Sequence, residues 1–348
     1  SDYDFYFISY DTAAGAYTVT GYKYVVVPGG ADRFEEVHEI NGTYSIGSIS
    51  AGDDITITAA GRPERKDDTG KVVAEATNTT IEIAGSVYSN KDEALYNVMT
   101  FNNADLVFAE SYGKYEIWIG SEDATVAIKA DSVSSRNGFN AASAPAFAEI
   151  RGKNIAIITE NGVGDKDNYI SIDCSEDGEL KLDNTSGDVF ITALRPFEEG
   201  VSSLTIGQLK TSGELNIALQ GRKLLAKDQD NSLVSSGLNI TDAYSIGTEE
   251  TPVNNRFTGY AELDLTAEES IYMNQEGDAY IRRIAAGDTV SLITIPAGNQ
   301  AGNIIDASAE GTPAVTADHI ILITTGEDAS VGTPDKKITL ELKGTDNG

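Results

Sequence analysis

The sequence is short of the residues that crosslink, kink or anchor a chain. Its 348 residues include one cysteine, Cys174, two histidines and eight prolines. A single cysteine cannot form an internal disulfide, and its position at the end of an apolar run is typical of a small buried side chain. No stretch approaches the ~20 consecutive apolar residues of a membrane span. The opening residues, SDYDFYF, lack the basic segment of a signal peptide, so we expect a processed product or a piece of a longer protein.

Positive charge is also scarce. The chain has 25 Lys and Arg against 55 Asp and Glu, which gives a formal net charge of -30. Binding to nucleic acid needs clustered Lys and Arg on phosphates, so this balance argues against a nucleic-acid partner and against anionic membrane surfaces. It is compatible with a solvated acidic surface, with cation binding or with an extracellular setting.

Motifs of catalysis are missing as well. There is no Gly-x-Ser-x-Gly elbow, no Walker-type loop and no Cys-x-x-Cys pair. His38 and His319 stand far apart, and neither is close in sequence to Cys174. Arg282 and Arg283 are the adjacent arginine pair, but the residues around them form no acidic and aromatic cluster in the sequence. We therefore predict that the chain is not an enzyme; a β-helical enzyme acting on polysaccharide is the third alternative.

What the chain does contain is alternation of apolar and polar residues. Between Arg151 and Leu194, short apolar runs are separated by Asx, Gly, Ser or Glu residues. These runs are Ile155–Ile158, Tyr169–Ile172, Leu180–Leu182 and Val189–Leu194. None has helical length or helical spacing, and a period of two with turn residues at each end predicts half-buried strands. We expect very little helix anywhere.

The same unit recurs at irregular spacing. Residues 317–342, ADHIILITTGEDASVGTPDKKITLEL, repeat the central order of strand, acidic turn, Val-Gly and charged turn. Partial copies lie at Leu238–Val253 and Tyr44–Thr58. A degenerate strand–turn–strand repeat predicts an all-β solenoid, most simply a parallel β-helix, over residues 31–348.

Residues 1–30 differ because they are rich in aromatic side chains. Two strand patterns, Tyr3–Tyr10 and Ala16–Val27, flank a turn of small residues and predict a hairpin. Two interpretations of its aromatic residues remain open: they cap the solenoid or pack in its core, or they form an edge that pairs with another chain. The candidate assembly residues are Tyr3, Phe5, Phe7 and Tyr10.

Calcium is the candidate ion, although no cofactor is expected. Asp165 and Asp167 lie in an Asp-x-Asp-Asn segment, and Asp228 and Asp230 lie in a second one. Oxygen ligands at alternate positions suit Ca²⁺. The alternative is that both segments are simple Asx turns, since the glycine of an EF-hand loop is absent from each.

Three segments together resemble the β-helical repeats of filamentous haemagglutinin-like exoproteins. They are GSISAGDDITITAAG at Gly47–Gly61, NTSGDVFITAL at Asn184–Leu194, and the unit at residues 317–342. The family carries strands of the form GDI-x-I-x-A and units ending in I-G-T. The resemblance implies a right-handed parallel β-helix, an extracellular address and a role as an adhesin or long stalk.

The functional prediction is a non-catalytic segment of a bacterial surface adhesin or stalk, located outside the cell. The alternative is a subunit of an extracellular filament or surface layer that assembles end to end. The partner is accordingly a host or matrix ligand, or further copies of the chain, with no nucleic acid and no membrane insertion.

Overall fold

A computed structural model describes residues 5–11, 16–25, 33–37, 43–46, 49–51, 55–60, 65–66, 71–74, 79–89, 96–102, 104–111, 117–121, 123–143, 145–194, 201–229 and 232–344. Every regular element within these ranges is a β-strand, and they contain no helix. No helix long and apolar enough to cross a membrane is therefore found among them.

The strands follow one another at short intervals along the chain. Those of the first half are β1 Phe5–Asp11, β2 Ala16–Val25, β3 Arg33–Val37, β4 Thr43–Ile46, β5 Ile49–Ala51, β6 Ile55–Ala60, β7 Arg65–Lys66, β8 Val72–Ala74, β9 Thr79–Ile83, β10 Val87–Ser89, β11 Tyr96–Asn102, β12 Ala104–Phe108, β13 Ile119–Gly120, β14 Thr125–Ala130, β15 Val133–Ser135, β16 Ile150–Thr159 and β17 Ile170–Asn184. Those of the second half are β18 Val189–Ala193, β19 Ser203–Thr211, β20 Glu214–Ala218, β21 Lys223–Ala226, β22 Ser232–Ser235, β23 Gly237–Ala243, β24 Val253–Phe257, β25 Glu262–Ala267, β26 Ile271–Glu276, β27 Ala279–Ala285, β28 Thr289–Ile295, β29 Ile304–Asp306, β30 Val315–Ala317, β31 His319–Thr324 and β32 Leu340–Leu342.

The chain winds into coils that stack through parallel strand pairs. Along one side, each strand pairs with its counterpart one coil later, in the order β6, β11, β14, β16, β17, β19, β22, β24, β26, β28, β31. A second parallel sheet joins β4, β9, β12 and β15 on another side. This arrangement confirms the predicted all-β parallel solenoid.

Aliphatic side chains in register form the core. Ile128, Ile157, Leu182, Leu209 and Leu233 are partners on successive coils. Each is at most 2% exposed. Burying such a side chain contributes about 1.5–3 kcal/mol, and each coil buries a face that it could not bury alone. The predicted alternation is confirmed here, with Ile157 inside the coil and its neighbour Ile158 half exposed outside.

Polar side chains continue the same internal rows. Asn184 lies between Thr159 and Thr211 on adjacent coils. The Thr159 hydroxyl donates to Asn184 Oδ1 at 2.9 Å, and Asn184 Nδ2 donates to Thr211 Oγ1 at 2.9 Å. The amide of Gly162 also donates to Asn184 Oδ1 at 3.0 Å. A buried polar group is tolerated when its bonds are satisfied, so this ladder ties three coils and a turn together.

A turn of one geometry recurs at three places, as the sequence repeat predicts. Gly164, Gly247 and Gly332 have φ values of 67°, 67° and 80°. Each precedes a four-residue turn, closed by a backbone bond from Asp165 N to Asn168 O, from Thr248 N to Thr251 O, and from Thr333 N to Lys336 O, at 3.0, 3.0 and 2.8 Å. Only glycine adopts positive φ without steric cost, which explains its recurrence.

The N-terminal region forms a separate antiparallel sheet. β1 pairs with β2 and β2 pairs with β3, so β1 lies at an edge. The predicted hairpin is confirmed, with Phe5 opposite Tyr22 and Tyr10 opposite Tyr17. The sheet continues past the predicted boundary at Gly30 as far as Val37. Parallel coils begin with β4.

The last coil leaves its interior side uncovered. Leu340 and Leu342 pair with Val315 and Ala317, which are fully buried. Yet Leu340 is 50% exposed and Leu342 is 67% exposed. They continue the core rows in register, but within the described residues no further coil packs on them.

Candidate functional site

A groove crosses the outer face of four neighbouring coils, formed by β20, β23, β25 and β27. Outward residues line up there because the strands pair in parallel register. Asn216, Asn239, Asp264 and Arg283 form one such row. Beside it, Gly237 is the partner of Glu214, and Glu262 is the partner of Tyr280. Polar residues that are distant in the sequence thus become neighbours.

Gly237 makes the groove concave. Glu214 and Glu262 carry side chains in this row of outward positions, but Gly237 between them has none. The resulting notch has a volume of about 250 Å³. The notch is lined in part by Ser236, Tyr260 and Arg282. A Cβ at position 237 would lie 3.3 Å from Glu214 Cγ, the nearest atom. The backbone there is compatible with a side chain, so the missing side chain shapes the surface rather than the turn.

Two tyrosines form an aromatic platform at the edge of the notch. Tyr260 lies in the turn between β24 and β25 and is 67% exposed. Its ring centroid is 4.2 Å from that of Tyr280, with the ring planes 50° apart. Burial, with Asp278 and Tyr260 nearby, raises the pKa of Tyr280, so its phenol stays neutral at physiological pH. The exposed face of Tyr260 offers a large amphipathic surface.

Asp264 and two arginines set the charge pattern. Arg283 donates from Nε and Nη2 to Asp264 Oδ1 at 2.9 and 2.8 Å. Arg282 Nε lies 3.8 Å from Asp264 Oδ2. Acidic, basic and aromatic residues therefore meet around Arg282 and Arg283, although no such cluster can be read around this pair in the sequence. The sequence does not reveal the cluster because Asp264 and Tyr260 come from the preceding coil, whereas Tyr280 lies on the same strand as the arginines.

A second cavity lies on the other side of the turn that carries Tyr260. Its volume is about 640 Å³. Phe257 and Ile295 line its apolar part, and the hairpin Ala297–Gln300 overhangs it. Thr258 and Gly259 line this cavity, whereas Tyr260 and Ala261 line the notch. One short turn thus separates two neighbouring depressions.

The predicted calcium ligands Asp165, Asp167 and Asp228 are not among the residues that line the two depressions. Asp165 Oδ1 accepts hydrogen bonds from the amides of Asp167 and Asn168 at 2.8 and 2.9 Å, as an Asx turn does. Asp228 lies in the bend after β21, and Asp230 lies outside the described residues. No group of three or more metal-ligating side chains occurs in the part of the chain that the structure describes. Calcium binding stays a prediction.

The predicted assembly residues occupy the N-terminal sheet. Phe5, Phe7 and Tyr10 belong to β1, the edge strand, and Tyr3 lies outside the described residues. His38 also lies outside them. His319 begins β31 at the surface, where its Nδ1 is 3.2 Å from Asp288 Oδ1. Phe5, Phe7, Tyr10 and His319 lie on strands other than the four that form the groove.

Buried charged groups, which the sequence did not predict, stabilise the corners of coils. The guanidinium of Arg222 donates through Nη2 to the carbonyls of Cys174 and Ser203 at 2.9 and 2.6 Å. Its Nη1 lies 3.5 Å from Asp173 Oδ1. Burial raises the pKa of the Cys174 thiol to about 12, which keeps it protonated and unreactive at neutral pH. This cluster joins corners of consecutive coils.

Comparison with protein-family models, with curated proteins and with solved structures found no match for this chain. The groove between Glu214 and Arg282 is accordingly characterised by its own geometry: a small, mixed-charge notch with an exposed tyrosine platform.

Proposed function

We propose that the chain is a non-catalytic segment of an extracellular bacterial adhesin or stalk, and that it presents a binding surface on the side of its coils. The observation that carries the proposal is the groove at Gly237 and Tyr260, displayed on a continuous parallel stack. Most of the residues that line the groove lie on β20, β23, β25 and β27, and rigid strands hold binding residues in place better than loops do. Tyr260 lies in a turn, and its ring packs against Tyr280 of β27.

The charge and the core support this role. A formal net charge of -30 keeps elongated molecules apart in solution. Internal rows such as Ile157, Leu182 and Leu209 are buried from coil to coil, so aliphatic packing holds successive coils together. The groups with the largest pKa shifts, Glu149 and Cys174, are buried away from the groove and belong to structural hydrogen-bond networks.

Adherence of the purified chain to surfaces is the test. The full chain would be applied to immobilised extracellular matrix and to intact cells, with its mass and shape followed by light scattering and electron microscopy. We expect monomeric rods that adhere in a saturable manner. Absence of saturable adherence to every surface would overturn the proposal.

The alternative function, end-to-end assembly, is favoured by the uncovered last coil. The free edges of β31 and β32 could continue the same parallel pairing that joins the internal coils, and Leu340 and Leu342 would then be covered. The occupant in this alternative is the first coil of a second copy. Unpaired strand edges with apolar side chains are templates for such pairing.

Concentration dependence separates the two functions. Assembly predicts fibres that grow with protein concentration and are lost in the double variant Leu340→Lys and Leu342→Lys, since lysine side chains oppose pairing at an edge. Deletion of Tyr3–Tyr10 tests the N-terminal partner surface in the same assay. Rods of one chain's mass at all concentrations would eliminate the alternative.

A further inference from the structure

We propose that the notch above Gly237 binds one ring of a neutral polysaccharide, with the sugar ring against Tyr260. The inference rests on the proposed adhesive function and names the chemical class of its ligand. Four observations carry it: the size of the notch, the exposed aromatic face, the mixture of donors and acceptors, and the adjoining second cavity.

Size restricts the ligand to a small ring. The notch has a volume of about 250 Å³ and is open to solvent on one side. Pockets that enclose drug-sized ligands span ~300–1,000 Å³. A space of this size on the side of a strand stack accommodates a single six-membered ring whose neighbours in a polymer continue outside.

The platform matches the apolar face of a sugar. A pyranose carries C–H groups on one face, and the electron-rich face of an aromatic ring attracts such weakly positive hydrogens. Tyr260 rests on Tyr280 with centroids 4.2 Å apart, which holds its ring in place while leaving it 67% exposed. An exposed aromatic side chain that is fixed by a neighbour loses little conformational entropy when a ligand stacks on it.

The polar residues favour a neutral hydroxylated ligand over a charged one. Glu214 and Glu262 accept hydrogen bonds, whereas Arg282 only donates them. A hydroxyl group both donates and accepts, so a polyol satisfies both kinds of side chain. The two glutamates repel the carboxylate of an acidic sugar, and Arg282 repels the ammonium or guanidinium group of a basic peptide.

The second cavity provides room for the rest of a polymer. It begins at Gly259, the residue before Tyr260, and is lined by Arg256, Asn299 and Gln300. Amide and guanidinium groups bind hydroxyls, and Phe257 and Ile295 supply apolar surface. A chain that places one ring at Tyr260 can lay its next units across the turn into this depression.

The experiment compares polysaccharide binding by the full chain and by matched variants. Affinity electrophoresis in gels containing a neutral glucan, mannan or galactan measures retardation, with polygalacturonate as the anionic probe. An oligolysine peptide is the cationic probe, and calorimetry measures its binding to the chain. Tyr260→Ala removes the platform, and Gly237→Gln fills the notch. Tyr272→Ala and Gly344→Gln are the controls, because Tyr272 lies outside both cavities and Gly344 has open space around it.

We expect retardation by at least one neutral polysaccharide, a loss of affinity of at least tenfold in Tyr260→Ala and Gly237→Gln, and unchanged affinity in both controls. No retardation by any of the three neutral polymers would overturn the inference, as would retardation that survives both groove variants. Binding of polygalacturonate or oligolysine alone, lost in the same variants, would also overturn it in favour of a charged ligand.

Failure of polysaccharide binding can be distinguished from failure of the proposed adhesive function. If the full chain adheres to cells or matrix while neutral polysaccharides fail to bind, the adhesive role stands and another ligand is required. If the chain adheres to nothing, the adhesive role itself fails. Circular dichroism and thermal unfolding of Tyr260→Ala and Gly237→Gln establish that each variant is folded before binding is scored.

Discussion

At the scale of single residues, two buried carboxyl groups show opposite protonation behaviour. Glu149 is fully buried and Asp306 is 4% exposed. Burial raises the pKa of Glu149 to about 7, despite hydrogen bonds from Ser135, the amide of Ser171 and Asn137 that oppose the shift. Burial also acts to raise the pKa of Asp306, but hydrogen bonds from Ser308 and Lys336 and from the amides of Ser308 and Thr339 lower it to about 2. The hydrogen bonds to Asp306, from Ser308 first and then from the Lys336 ammonium group at 3.0 Å, outweigh its burial, whereas those to Glu149 do not.

The raised pKa of Glu149 predicts that the folded protein loses stability as pH rises. Its folded pKa lies above that of an unfolded glutamate, so the unfolded chain releases a proton first, and the free energy of unfolding falls between about pH 4.5 and 7. The full effect corresponds to roughly 3 kcal/mol. Glu149→Gln keeps a neutral side chain, and we expect the difference in stability between variant and parent to change over this range. Urea unfolding at several pH values measures it.

Glu310→Gln is the control, because Glu310 is an exposed glutamate on a later coil. A stability difference for Glu149→Gln that is constant from pH 5 to pH 8 would contradict the raised pKa. For the control Glu310→Gln, we expect a stability difference from the parent that does not change with pH over this range.

Asp306 predicts a loss of stability in acid. Its folded pKa is depressed, so its contribution is present above pH 4 and disappears as pH falls through about 2. Asp306→Asn should lower the free energy of unfolding at pH 7 by roughly 2 kcal/mol. Asp335→Asn, an exposed aspartate in the turn that contains Lys336, should change it little. Equal effects of the two substitutions at pH 7 would argue against the Asp306 network.

At the scale of elements, the recurring glycine turn predicts how strongly an added side chain destabilises the fold. Gly247 and Gly311 both have positive φ, at 67° and 79°. A Cβ at Gly247 would lie 2.5 Å from the carbonyl oxygen of Tyr272, whereas nothing lies within 4 Å of one at Gly311. Gly311→Ala should therefore cost about 1–2 kcal/mol, the price of a left-handed backbone for alanine. Gly247→Ala should cost a further ~1–3 kcal/mol for crowding.

Thermal and urea unfolding of the two variants provide the comparison. The quantity to compare is the difference between their free energies of unfolding. Both variants place alanine at a positive φ, so the backbone cost is common to both and cancels. If Gly247→Ala were no less stable than Gly311→Ala, the close approach of the turn to the next coil would be refuted.

The sequence predicted strands correctly where apolar and polar residues alternate within a single strand. Alternation around Ile155 and Ile157, and around Leu180 and Leu182, predicted strands that the structure contains. Two predicted strands, Tyr169–Ile172 and Leu180–Leu182, proved to be one, because the polar residues between them continue the extended backbone through a corner. Alternation reports which side chains are buried, but it does not report where an extended chain bends.

The groove could not be predicted because it depends on register between coils. Asn216, Asn239, Asp264 and Arg283 become neighbours through parallel pairing, and an irregularity between Leu263 and Asp264 shifts the register of the last pair. Coil length varies along the chain, so no fixed period relates these positions in the sequence. Gly237 gave no signal either, since a glycine in a strand pattern indicates equally a bulge, a bend or an empty place on the surface.

At the scale of the whole molecule, charge predicts a dependence on salt. A net charge of -30 opposes the compact state through self-repulsion, and added salt screens it. We expect the melting temperature to rise as NaCl increases from 10 to 150 mM, conditions in which the Debye length falls from ~30 to ~8 Å.

Calcium provides the second part of this experiment. Asp165 already accepts hydrogen bonds within its own turn, and Thr248 and Thr333 form the same turn without a carboxylate. At equal concentration, CaCl₂ and MgCl₂ should therefore raise the melting temperature equally. A larger shift with calcium, lost in Asp165→Asn, would instead establish the calcium site predicted from the sequence.

The uncovered last coil has a mechanical consequence. Hydrogen bonds between coils run along the stack, so a pulling force applied at Gly344 acts first on β31 and β32, which within the described residues pair on one side alone. Val290 and Ile320 are partners on adjacent coils, and detaching the last coil frees roughly 30 residues, about 100 Å of extended chain. The molecule would yield to tension by unwinding one coil at a time, lengthening by about 10 nm at each step while the remaining coils stay folded.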